Sequence, residues 1–194
     1  MSIKLPTVLL ASKSPRRSQL LKALGCSFQV VEQNIEESFP DDLPNSEVPI
    51  YLAEQKAASV REQLQPGTVI LASDTIVLQD DTIFHKPKDY EDALRILRAL
   101  SGRQHEVITG VCLLGGDKQI SFSDTARVHF APLSEEEMDY YVRTFQPYDK
   151  AGAYAIQEWI GLAKIIKIEG TYNTIVGLPT QKVYEALQKF SPSI

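Results

Sequence analysis

The 194-residue chain has no run of three or more consecutive lysines or arginines, and its formal net charge is -5. A nucleic-acid backbone needs a basic stripe to neutralise it, so DNA and RNA are poor candidates for the main partner. Small anions stay open, because a local field counts for more than total charge. Only two cysteines occur, Cys26 and Cys112, far apart and with no second ligand at zinc spacing. That excludes a disulfide framework and argues against a structural metal, so both read as reduced core thiols. The histidines, His85, His105 and His129, show neither metal spacing nor a neighbouring nucleophile, and read as structural or solvated. No stretch approaches the roughly 20 apolar residues that cross a bilayer. The apolar stretch in 1–11 is too short for the core of a secretion signal. A cytoplasmic protein with no membrane partner is expected.

Hydrophobic residues make up 43% and charged residues 23%, ordinary values that exclude disorder and a fibrous class. The length suits one α/β domain or two small lobes sharing a cleft. With no repeat, low-complexity tract or clear linker, a single domain over 1–194 is expected. Residues 8–11 read as a buried strand, followed by a helix that opens at Pro15 and closes at Gly25. A strand over 28–31, an acidic loop over 36–44 and a helix over 49–64 come next. The apolar run 69–72 predicts a strand delivering Ser73, Asp74 and Thr75 at its C-terminal end, where α/β folds place ligand groups. Asp80-Asp81 can turn a hairpin, and Asp89 with Asp92 can cap a helix over 90–100. Strands over 106–114 and 119–130 flank Gly115-Gly116, and Ser134 with Glu137 forms a capping box for a helix to about 145. A strand over 165–168 and a helix over 179–190 complete the chain.

The sharpest chemical feature is Ser12-Lys13-Ser14-Pro15-Arg16-Arg17, set between a buried strand and a helix start. Helix N-termini present N–H groups and partial positive charge, and arginines add bidentate phosphate contacts. The alternative is an ordinary helix start with two solvated arginines; the glycines of a Walker loop are absent. Glu36-Glu37 in the loop and Asp74 after the apolar run are oxygen donors of the kind hard cations take together with phosphates. Loop glutamates are usually just solvated, whereas a carboxylate closing an apolar run needs a partner or a task. Lys56 and Lys86 can reach a phosphate chain, and Pro87 fixes the backbone beside Lys86. The segment from Pro147 to Gln157 mixes small residues with two tyrosines. It allows a close backbone approach or is a plain tight loop, and Gln157 can pair with a base edge.

Taken together, Ala11-Ser12-Lys13-Ser14-Pro15-Arg16-Arg17, Ser73-Asp74-Thr75, Lys86-Pro87, Leu100-Ser101-Gly102 with His105, the stretch from Asp149 to Gln157, and Val176-Gly177-Leu178-Pro179 resemble the Maf family of nucleotide pyrophosphatases. The resemblance implies an α/β fold with a mixed twisted sheet and flanking helices, in two lobes around a central cleft, like inosine triphosphate pyrophosphatases. It implies a divalent cation, Mg2+ or Mn2+, and hydrolysis of dTTP and UTP to the monophosphate and pyrophosphate. Carried over by position, Asp74 is the general base, Glu37 and Asp74 are metal partners, and Ser12, Arg16, Lys56 and Lys86 are triphosphate contacts. Arg16, Thr75 and Gln157 match positions that set pyrimidine preference, where the 7-methyl-GTP branch typically has tryptophan, glutamine and glutamate. Glu158 departs from the glycine of many relatives and puts the grip on the base in question. Two further functions stay open: a 7-methyl-GTP-type pyrophosphatase, and a non-enzymatic nucleotide-sensing or DNA-binding regulator of septum formation. Monomer and homodimer are both open.

Overall fold

The computed structural model describes residues 5–190, in the order β1 (Thr7–Leu10), α1 (Pro15–Ala23), β2 (Phe28–Val30), α2 (Val48–Ala58), β3 (Thr68–Gln79), β4 (Thr82–Phe84), α3 (Tyr90–Leu100), β5 (Gln104–Gly115), β6 (Lys118–Phe130), α4 (Glu135–Phe145), α5 (Trp159–Lys164), β7 (Ile165–Glu169), α6 (Tyr172–Val176) and α7 (Thr180–Gln188). The strands form one mixed sheet in the order β2-β1-β3-β5-β6-β7, with β4 paired to β3. The expected α/β class is what the chain adopts. The chain divides into two compact units. The first takes residues up to Asp74, 109–124 and the chain from Gly177; the second takes 75–108 and 125–176.

In the first unit the sheet is covered on both faces. Val8 and Leu10 of β1, Val69 and Leu71 of β3, and Val111 and Leu113 of β5 pack with Leu21 of α1 and Val183 and Leu187 of α7. The alternate residues Leu9, Ile70, Ala72, Cys112 and Leu114 pack with Ala53 and Ala57 of α2. Burial on both faces explains why 8–11 and 69–72 are unbroken apolar runs rather than alternating ones. Cys26 and Cys112 are buried free thiols, as expected, and burial pushes the Cys112 thiol up to about 11. β1 lies parallel between β2 and β3.

The second unit has its own core, in which Val77, Val107, Val128 and Phe130 of the sheet pack against Leu97 of α3 and Met138 and Val142 of α4. Its helix starts follow the sequence signals. Asp89 accepts the Asp92 N–H at 2.9 Å, and Ser134 and Glu137 close the reciprocal capping box. Asp80 and Asp81 both take positive φ between β3 and β4, the backbone that a two-residue hairpin requires.

Two expectations need correction. β3 does not end at Ala72: it runs on to Gln79 and stays almost wholly buried, so Ser73, Asp74 and Thr75 lie mid-strand. The helix expected over 49–64 stops at Ala58, and a single 3-10 turn follows at Arg61–Gln63. The short helices α5 and α6, six and five residues long, are too short for a helical period to be read from the sequence, and α6 opens on a local cap in which Thr171 accepts the Thr174 N–H at 3.2 Å.

Candidate functional site

Parallel register builds the site in the first unit. Leu10 pairs with Leu71, and the Ala11 N–H bonds the Leu71 carbonyl at 2.9 Å. β1 then stops while β3 continues, so the polar residues of β3 stand beside the chain leaving β1. The strand tip that matters is that of β1, not β3.

That departing chain is Ser12 to Arg17. Pro15 takes the first position of α1, and Ser14 has extended backbone without a side-chain capping bond. The Ser12 hydroxyl, itself buried, accepts from the Ser14 N–H at 3.3 Å and from Arg17 Nη1 at 3.1 Å. Arg17 Nε donates to the Gly177 carbonyl at 2.9 Å, and the Ser73 hydroxyl donates to the same oxygen at 3.1 Å. One guanidinium thus ties the loop after β1 to the turn before α7. Enclosure lowers the Arg17 pKa; Asp74 raises it, Arg16 lowers it, and Glu37 raises it. Arg17 remains a cation because guanidinium does not deprotonate in proteins.

The acidic centre lies on α2 and β3. Lys56 is 4% exposed, and its ammonium is 2.5 Å from Asp74 Oδ1 and 2.7 Å from Glu37 Oε1. A buried ammonium requires such partners. Lys56, expected to meet phosphate, has the two carboxylates as its immediate partners. These carboxylates suit a hard divalent cation: both are oxygen donors, one on an exposed loop, and they already share one positive charge. Magnesium and manganese take one or two carboxylates and complete their shell with water and phosphate oxygens. Lys13 lies 3.7 Å from Glu32 on the surface, a pair of little energetic weight.

Thr75, Lys86 and Gln157 belong to the second unit. Thr75 is half-buried on β3, Lys86 is exposed after β4, and Gln157 is exposed ahead of α5. Gly152 links their segments: its N–H bonds the His85 carbonyl at 3.3 Å, and it lies against Val77 of β3. Glu158 turns away from solvent. Its carboxylate accepts from the Tyr141 hydroxyl and lies 3.4 Å from Lys150 Nζ. His105 is buried in the same unit, 2.7 Å from the Tyr154 hydroxyl, and burial pulls its pKa down to about 3. His129 pairs with Glu169 at 3.0 Å, and His85 is exposed. The structural or solvated reading of the histidines agrees with these positions.

The sequence did not single out Ser73, or Arg17 over Arg16. Neighbouring residues on a helix point in different directions, so adjacent arginines cannot serve one contact, and only the fold decides which one turns inward.

A family model described as Maf-like protein matches residues 7–190. A Phocaeicola vulgatus protein named dTTP/UTP pyrophosphatase is 47% identical over 183 residues, covering 94% of this chain and 95% of that protein. A Cytophaga hutchinsonii protein of the same name is 46% identical, covering 96% of this chain and 86% of that one. A solved nucleoside-triphosphatase / dITP/XTP pyrophosphatase from Mycobacterium abscessus overlays with a TM-score of 0.42 at 12% identity, over 96% of this chain and 98% of that chain, a likeness too loose to argue from.

Proposed function

The chain belongs to the Maf-like family, and from that premise we propose that it is a nucleoside triphosphate pyrophosphatase that splits dTTP and UTP into the monophosphate and pyrophosphate. The observation that carries this reading is the carboxylate pair of Asp74 and Glu37 around Lys56, beside a helix start bearing Ser12 and Arg16. Relatives that share close to half of the residues over nearly the whole chain carry the name dTTP/UTP pyrophosphatase.

In the reaction, a water oxygen bonds to the α-phosphorus in line with the bridging oxygen to the β-phosphorus. That bridging bond breaks, and pyrophosphate leaves. Asp74 orients the water and accepts its proton. Lys56 bonds Oδ1 of Asp74, and the water is taken by the other carboxylate oxygen. Glu37 and Asp74 would hold a magnesium or manganese ion, which supplies neutralising charge at the phosphate oxygens when bound. Ser12 and Arg16 bind the phosphate chain at the start of α1, where N–H groups and guanidinium match its oxygens. Lys56 holds the two carboxylates together and offers its charge to the chain, and Lys86 adds a second ammonium. Thr75 and Gln157 read the pyrimidine. Phosphoryl transfer asks chiefly for positioning and charge stabilisation, and these residue types supply both.

The test is a nucleotide panel with magnesium, with and without chelator. The expected products from UTP and dTTP are one pyrophosphate and one monophosphate per turnover, lost on chelation. Release of orthophosphate, or no turnover of either pyrimidine, overturns the proposal.

A further inference from the structure

Gln157 sits at the third position of a tight turn, since the Glu158 N–H bonds the Ala155 carbonyl at 3.1 Å. Both ends of this turn meet one buried atom. The Tyr141 hydroxyl accepts the Ala155 N–H at 3.0 Å and donates to the Glu158 carboxylate. Tyr141 is wholly buried on α4, with its ring stacked on Phe145 at 5.1 Å. Burial and the Glu158 carboxylate both raise its pKa, so the hydroxyl keeps its proton and remains a donor.

Further contacts fix the same turn. Lys150 Nζ lies 3.4 Å from Glu158 and 2.7 Å from Asp149. Glu158 occupies the residue before α5, yet its side chain makes no capping bond there; the carboxylate is committed to Tyr141 and Lys150. Its backbone carbonyl receives the N–H groups of Gly161 and Leu162 at 3.0 and 3.3 Å. Gly161 passes so close that a Cβ there would fall 1.7 Å from the Ile156 carbonyl oxygen. Residues 152–156 are buried, and Gln157 is the exposed residue that follows them. The segment therefore presents one amide from a backbone held on both sides.

The geometry points to Tyr141, Glu158 and Lys150 as positioning residues for pyrimidine selectivity, which hold the turn that presents Gln157. This rests on the reading that Gln157 contacts the base. An exposed amide on a loose loop samples many directions and discriminates bases weakly, whereas one on a pinned turn meets a base edge at low ordering cost. The glutamate at 158 thus reinforces the grip rather than competing for the base.

The test measures kcat and KM for UTP and CTP, together with thermal melts, for Gln157→Ala, Tyr141→Phe, Glu158→Ala and Glu158→Gln. Loss of one buried hydrogen bond translates into about tenfold, so Tyr141→Phe and Glu158→Ala should each lower the UTP-to-CTP ratio of kcat/KM by about that factor. The change should appear in KM for UTP, with kcat kept within a fewfold. Glu158→Gln should retain most of the ratio, because its amide oxygen still accepts from Tyr141. If Gln157→Ala alters the ratio while Tyr141→Phe and Glu158→Ala lower only melting temperature, the positioning role is overturned and the base contact stands. If Gln157→Ala leaves the ratio unchanged, the base contact falls and the inference falls with it. Should Tyr141→Phe not fold, the contrast between Glu158→Ala and Glu158→Gln decides alone: equal ratios in the two overturn the proposal.

Discussion

Replacing Lys56 by methionine keeps an unbranched apolar stem, one atom shorter, but removes the charge that Asp74 and Glu37 share. Asp74 is 12% exposed and Glu37 44% exposed, so the variant leaves one enclosed carboxylate beside a second that solvent already screens. Breaking a buried pair costs about 3–5 kcal/mol. Because Glu37 is 44% exposed, solvent screening brings the expected loss down to about 2–3 kcal/mol. For a chain of this size that is a fall in melting temperature of about 5–10 °C. Adding magnesium should restore part of this loss, because the divalent ion can take the position between the two carboxylates, and it should shift the wild type less. Differential scanning fluorimetry of both proteins across a magnesium series measures the effect. A variant that melts within about 1 °C of wild type, with equal magnesium shifts, would refute the claim that this ammonium balances the site.

Asp74→Asn should lower kcat on UTP by about 10²–10⁴-fold, the usual range for a lost general base, while nucleotide still binds by calorimetry; turnover within a few-fold of wild type removes Asp74 from that role. Gly152→Ala should destabilise the second unit by about 2–4 kcal/mol, because Gly152 has φ of 71° and a Cβ there would lie 2.7 Å from Val77 Cγ2. Combining it with Val77→Ala relieves the overlap but not the backbone strain, so chemical denaturation should show the two costs to be non-additive. His105 binds its proton far more weakly when folded, at about 3, than the ordinary value of about 6.5. The unfolded chain therefore takes up the proton first, and the stability His105 contributes is complete above about 6.5 and lost as pH falls towards 3. Between pH 7.5 and 5 that share is about 2 kcal/mol. Urea titrations should show a flatter pH dependence for His105→Gln than for wild type, and parallel curves would contradict the assignment.

The parts of the fold legible beforehand were those fixed by residues close in the chain. Asp89 and Ser134 cap the helices that follow them because each bonds an N–H three residues on. Asp80 and Asp81 turn a hairpin because short polar side chains tolerate positive φ. The extent of β3 was not legible. Ser73, Asp74 and Thr75 interrupt an apolar run and read as its end, yet the strand continues because tertiary partners satisfy them. Ser73 bonds a carbonyl 104 residues away, and Asp74 is paired with Lys56.

The order of the longer strands and helices and the two-sided burial of β1 and β3 were determined by the amino-acid sequence itself. Which arginine of the pair turns inward to Gly177, what lies against Lys56, and where the Glu158 carboxylate goes were decided only by the tertiary structure. A hydrogen bond within a turn depends on neighbours a few positions off and can be read from spacing. A buried charge must find its partner in whatever element the fold brings beside it, and local pattern does not encode that choice.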